Sequence, residues 1–147
     1  MDLALEQART AATLGEVPVG AVLVAPDGKL LARCSNACIH DHDPTAHAEL
    51  LALRHAGTVL GNYRLNGGVL VVTLEPCAMC AAAIIHARLA GLVFGAADSL
   101  AGAVISCAEY FDAQYAQHKV WHMGGVRSVE CAAVLRDFFD RQRAQRR

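Results

Sequence analysis

Two short segments carry the residue types that catalytic chemistry needs. His47, Ala48 and Glu49 open one helical stretch, and Pro76, Cys77, Ala78, Met79 and Cys80 open another. Cys77 and Cys80 are three residues apart, which puts their sulfurs on one face of a first helical turn, within reach of a single metal ion. The positive end of the helix dipole and the unpaired first N–H groups favour thiolates there, so both should deprotonate more easily than free cysteine. One imidazole and two thiolates suit Zn²⁺ and leave one tetrahedral corner open. A catalytic site keeps such a corner, because the metal lowers the pKa of bound water toward about 7 and supplies hydroxide at neutral pH.

Glu49 lies two residues beyond His47, about 200° round a regular helix, so both reach one centre only if it sits past the helix N-terminus. That geometry separates their roles. His47 ligates, while Glu49, beside the metal but not on it, takes a proton from water and returns it to substrate, a general acid/base role worth about 10² to 10⁴ in rate. A Cys-x-x-Cys pair alone equally suits structural zinc or a redox couple, and a His-x-Glu alone is common. A structural site would need a fourth ligand, for which Cys34, Cys38, His40 and His42 are available. The two segments together, each at a helix start, point to catalytic zinc.

The elements that position these residues follow from pattern. Asp2 to Leu14 reads as an amphipathic helix that stops at Gly15. Val19–Ala25 and Lys29–Ser35 are strand-like runs joined through Pro26, Asp27 and Gly28, a hairpin signature. A polar, histidine-rich loop from Asn36 to Thr45 leads into a helix over Ala46–His55. Val69–Leu74 is a β-branched run of the buried-strand kind, and a helix follows with Pro76 at its first position and Ala78–Arg88 behind it. Gly91–Gly95 predicts a short strand, Val104–Phe111 a helix, Lys119–Met123 an edge strand, and Ser128 to about Arg143 a last helix. Strands alternating with helices after an opening hairpin imply an α/β fold, a mixed sheet covered on both faces. No repeat or linker is visible, so residues 1–147 are expected to form one domain.

Composition narrows the class. The chain is 147 residues long, 54% hydrophobic and 18% charged, too apolar for disorder. No apolar stretch reaches the about 18 residues of a spanning helix, and Met1 to Thr10 lacks a secretory pattern, so a cytoplasmic location without membrane contact is expected. Six cysteines without an export signal then read as thiols or ligands rather than disulfides. The net charge of −1 gives no global positive field for nucleic acid. Yet Arg136, Arg141, Arg143, Arg146 and Arg147 crowd the C-terminus, a solvated helix end on charge pattern alone.

The pair HAE and PCAMC is the zinc-deaminase signature of nucleobase deaminases. EVPVGAVLV from Glu16, HDPTAHAE from His42, NYRL from Asn62, VTLEPCAMC from Val72, VFGAAD from Val93 and ECAAVLRDFF from Glu130 extend the likeness over nearly the whole chain. Together they resemble the bacterial tRNA-specific adenosine deaminase family. That resemblance implies a three-layer α/β/α, cytidine-deaminase-like fold with a five-stranded mixed sheet, a homodimer, and one Zn²⁺ per chain held by His47, Cys77 and Cys80. It implies adenosine-to-inosine conversion at the wobble position of a tRNA anticodon stem-loop. Hydroxide would attack C6 of a flipped-out adenine, while Glu49 protonates N1 and assists ammonia departure. Among substrate contacts it implies Asn36 and Asp98, with Ala48 beside the ligand histidine and Phe139 and Arg143 on the C-terminal helix. The plainer readings are a turn for Asn36, a cap for Asp98 and core packing for Phe138 and Phe139.

The chain departs from the family where an arginine and a lysine commonly flank the aspartate at 98: it has Ala97 and Leu100. Ile105–Ser106 and Ala113–Gln117 also differ from the family pattern. The competing functions are deamination of a free base or nucleoside of guanine or cytosine type, and an inactive RNA-binding zinc module. Other residues take plain readings: Glu75 complements a helix dipole, Cys107 and Cys131 are buried thiols, and Trp121 is a core or subunit contact.

Overall fold

The computed structural model describes residues 1–147. Helix α1 (Asp2–Thr13) lies directly on strand β1 (Gly20–Val24). A Cβ at Gly20 would stand 2.0 Å from the Ala4 carbonyl oxygen and 2.5 Å from the Ala8 nitrogen, so only glycine admits this approach. The chain then turns through Asp27 and Gly28, whose φ of +86° suits glycine, into the antiparallel strand β2 (Leu30–Ser35).

Helix α2 (Ala48–Leu60) leads to β3 (Val69–Leu74), and helix α3 (Ala78–His86) to β4 (Gly91–Ala96). After a 3₁₀ turn at Tyr110–Asp112 come the edge strand β5 (Trp121–Met123) and helix α4 (Ser128–Gln145). The five strands form one mixed sheet in the order β2-β1-β3-β4-β5. β1 is antiparallel to β2 and β3, whereas β3, β4 and β5 run parallel. α1 contacts α4 and α2 contacts α3, which gives the three-layer α/β/α architecture expected from the sequence.

The two interfaces are unequal. On one, Leu70, Val72, Leu92 and Phe94 join Ala52 and Ile84 in the main core, each large side chain contributing about 1.5–3 kcal/mol by burial. On the other, Leu5, Ala96 and Cys131 form a small cluster where α1 and α4 meet the sheet.

Three local expectations are corrected. α2 starts at Ala48 because His47, with extended backbone (φ −70°, ψ 147°), is its N-cap, and it runs on to Leu60 until Gly61 takes a left-handed conformation. α3 starts at Ala78 with Cys77 as N-cap, so Pro76 precedes the helix rather than occupying its first turn. Val104–Phe111 is not a helix. The N–H groups of Val104, Ile105 and Ser106 go to the Glu75 carboxylate, a stronger acceptor than a helical carbonyl, and only Tyr110–Asp112 is helical, as one 3₁₀ turn.

Candidate metal centre and active site

The carboxyl ends of the parallel strands β3 and β4 are where open α/β sheets place their ligands. β3 runs through Glu75 and Pro76 into Cys77, and β4 runs into Asp98. His47 arrives from the other side, at the start of α2, which packs beside α3.

His47 Nδ1 lies 3.7 Å from Cys77 Sγ and 3.5 Å from Cys80 Sγ, and the three donor atoms all lie within 4.8 Å of one another. Tetrahedral zinc, with bonds of about 2.3 Å to sulfur and 2.0 Å to nitrogen, requires an N···S separation of about 3.5 Å. The donor set therefore fits zinc by chemistry and by spacing. Cys34, Cys38, His40 and His42 are not part of this donor group, so no fourth protein ligand joins it.

Hydrogen bonds with Cys80 and His47 hold the Cys77 thiol down to about 4, and the same contact with Cys77, with burial, pushes Cys80 up. The easier deprotonation expected of both cysteines therefore holds for Cys77 and not for Cys80, which is buried and bonded to its partner thiol. Hydrogen bonding to Cys77 raises His47 above the usual histidine range. Glu49 is only 4% exposed, and burial pushes its carboxyl up to about 7 against the lowering influence of its own N–H and the His47 charge.

A cavity of about 280 Å³ opens on these residues. Asn36, Cys38, His47, Glu49, Cys77 and Asp98 line it, together with Glu16, Glu75 and the apolar Val17, Val19, Ile39, Leu74 and Ala101. Asn36 and Asp98 are therefore brought to the site. Asp98 also caps its own turn, its Oδ1 accepting the N–H groups of Leu100 at 2.9 Å and Ala101 at 3.2 Å. Ala48 is fully buried next to His47 and does not line the cavity.

Phe139 and Arg143 are not in this cavity. They line a neighbouring groove of about 290 Å³ with Gly15, Phe138 and Arg146, and the two hollows share Val17 and Ile39 as their common wall. Phe138 is buried, whereas Phe139 is 43% exposed and meets it edge to face.

Sequence reasoning missed two carboxylates. Glu16 and Glu75 are 1% and 2% exposed, and both line the catalytic cavity. Glu75 does more than complement a dipole. Burial would raise its pKa, but hydrogen bonds from the Ser106 hydroxyl and from the N–H groups of Ser106, Ile105 and Asp98 hold it down to about 2. The available signal was a single acid inside each otherwise apolar run, since acids are rarely buried without partners. Cys107 is also corrected: it is exposed, on the loop that replaces the expected helix, whereas Cys131 is buried. Trp121 is half exposed and lies over Gly91, where a Cβ would stand 2.1 Å from its ring.

A mixed five-stranded sheet that brings one histidine and two helix-start cysteines into one donor group, beside a cavity lined by a buried glutamate, defines the zinc-dependent deaminase class. Residues 1–96 match the profile of the cytidine and deoxycytidylate deaminase zinc-binding region. The tRNA-specific adenosine deaminase of Haemophilus influenzae is 45% identical over 147 residues, 100% of this chain and 85% of its own length. A solved structure from work on A-to-I editing at the wobble position of transfer RNA superposes with a TM-score of 0.90 at 46% identity, over 92% of this chain and 97% of that one. A guanine deaminase from Nitrosomonas europaea superposes with a TM-score of 0.78 at 25% identity, over 93% of this chain and 81% of that one. The chain belongs to the cytidine and deoxycytidylate deaminase zinc-binding family, in its tRNA-specific adenosine deaminase branch.

Proposed function

We propose that this protein hydrolytically deaminates adenosine to inosine at the wobble position of a tRNA anticodon, with all 147 residues acting as one catalytic domain. The observation that carries the reaction is the clustering of the His47, Cys77 and Cys80 donors at a cavity that His47, Cys77 and the buried Glu49 carboxyl line. The choice of substrate is supported by the 45% identity to a tRNA-specific adenosine deaminase and by the wobble-editing structure.

In this reading His47, Cys77 and Cys80 hold zinc. When bound, the metal supplies a Lewis acid that lets water act as a nucleophile at neutral pH. Glu49 takes the proton from that water as its oxygen adds to C6 of adenine, and passes the proton to N1 of the ring. Glu49 next takes the second proton, from the oxygen now on C6, and hands it to the amino group as the C6–N6 bond breaks, so that the C6 carbonyl of inosine forms and ammonia leaves. Asn36 and Asp98 hold the nucleoside from the two sides of the cavity. Phe139 and Arg143 take the neighbouring anticodon nucleotides in the adjoining groove, by stacking and by phosphate contact.

The reading extends to a cytoplasmic homodimer. No helix is long and apolar enough to cross a membrane. A broad hollow between α2 and α3, lined by Leu50, Leu53, Ala83 and Ala87 and rimmed by the exposed Tyr63, offers an apolar face to a second copy.

The test is product identification. Zinc-loaded protein is incubated with an adenosine-containing anticodon stem-loop and, separately, with guanine and cytosine compounds. Inosine in the hairpin with release of ammonia is expected. Conversion of the small molecules alone would establish the free-base reading instead, and RNA binding without ammonia the inactive module.

A further inference from the structure

We propose that Glu16 and Glu75 are positioning residues that tie down the two loops walling the catalytic cavity, so that substrate meets walls already set. The inference rests on the deaminase reading only for the identity of the substrate.

Glu75 gathers donors from a segment that has no regular structure of its own. Its Oε1 accepts the N–H groups of Val104 at 3.2 Å, Ile105 at 2.7 Å and Ser106 at 2.9 Å. Its Oε2 accepts the Asp98 N–H at 3.0 Å and the Ser106 hydroxyl. The loop is wrapped tightly enough that a Cβ at Gly102 would stand 2.4 Å from the Glu75 carboxyl. Glu16 does the same on the opposite wall. Its Oε1 accepts the N–H groups of Ile39 and His40, both at 2.8 Å, in the loop that begins at Asn36, while its Oε2 has no partner.

Burying a carboxylate carries a penalty of several kcal/mol, which only fixed donors offset. Here the donors are backbone groups of the loops that bear Asp98 and Asn36, so each buried charge holds its loop in one conformation. Neither acid belongs to the metal-donor group, and both oxygens of Glu75 are already engaged. Their common effect is preorganisation: substrate binding does not have to order the walls.

The two acids differ in a way that makes the claim testable. Glutamine at 75 cannot accept at both oxygen positions, so its amide N–H would face the Asp98 N–H. Glutamine at 16 keeps the one oxygen in use and places its amide where Oε2 has no partner. The experiment measures amide hydrogen exchange and zinc content on the zinc-loaded full chain alone, and kcat and KM with an anticodon hairpin. In Glu75→Gln the Asp98 amide, which loses its acceptor, should exchange about tenfold to hundredfold faster, Val104, Ile105 and Ser106 should follow to a smaller extent as the loop loosens, and kcat/KM should fall mainly through KM, with zinc content unchanged. Glu16→Ala should loosen only Ile39 and His40, and Glu16→Gln should restore their protection and KM. If Glu75→Gln does not fold, Ser106→Ala removes one donor and should show the same pattern on a smaller scale. Unchanged exchange in Glu75→Gln and Glu16→Ala overturns the proposal, as does faster exchange with wild-type kcat/KM. Exchange is read without substrate, so wild-type protein that leaves the hairpin unconverted refutes the tRNA reading while the positioning claim is still decided.

Discussion

His47 Nδ1 stands 3.5 Å from Cys80 Sγ, although 33 residues separate the two in the chain. Each is fixed by the start of a helix, and the donor set closes only when α2 and α3 dock side by side on the sheet. Zinc should therefore bind the native state and not the unfolded chain, linking metal to stability. Stripping the metal with a chelator should lower the melting temperature, and restoring zinc at about a hundredfold over its Kd should return about 2.7 kcal/mol. His47→Ala should bind less than stoichiometric zinc and show no metal-dependent shift. A melting curve indifferent to zinc would contradict a centre built from these three residues.

Glu49 is buried in the same cavity without belonging to the donor group, so its removal should separate chemistry from metal binding. Glu49→Gln keeps the side-chain volume and loses the proton carrier. Turnover should fall by about 10² to 10⁴, with zinc content unchanged. Stability should hold or rise, because a buried carboxylate is replaced by a neutral amide. The assignment fails if the variant deaminates the hairpin at the wild-type rate.

How far the sequence is legible depends on how local the interactions are. The Cys-x-x-Cys spacing, the His-x-Glu step and the apolar runs of β1, β3 and β4 are written in neighbouring residues, and each stands where its pattern placed it. Val104–Phe111 was misread because the groups that decide its conformation lie 29 to 31 residues upstream, on Glu75. Propensity sees alanine and valine there and not a distant carboxylate. The exposure of Cys107 follows from the same rearrangement. The separation of Phe139 and Arg143 from the catalytic cavity is likewise tertiary, set by how α4 lies against the Gly15–Val17 segment.

Gly20 tests the packing that carries the Glu16 segment. The Cβ of Gly20→Ala would press on the Ala4 carbonyl and the Ala8 nitrogen, both backbone atoms that cannot rotate away. The substitution should destabilise by about 1–3 kcal/mol or more, since α1 must lift from β1. Chemical denaturation gives the size directly. An alanine variant as stable as the wild type would mean that the helix sits less tightly on the strand.

Phe138 and Phe139 are neighbours with different surroundings, 6% and 43% exposed. Phe138→Ala should destabilise by about 3–5 kcal/mol, the range for a buried phenylalanine. Phe139→Ala should leave the melting temperature nearly unchanged and weaken hairpin binding by about 1–3 kcal/mol, the contribution of one stacked base. Arg143→Ala should weaken binding and flatten its salt dependence by roughly one unit of log–log slope if it meets a phosphate. Leu100 is exposed in the turn capped by Asp98, which lines the catalytic cavity, so Leu100→Lys should steepen the salt dependence. Titrations of the hairpin at several salt concentrations distinguish these effects. If Phe139→Ala and Arg143→Ala bind like the wild type, the groove beyond Val17 and Ile39 is not where the anticodon lies.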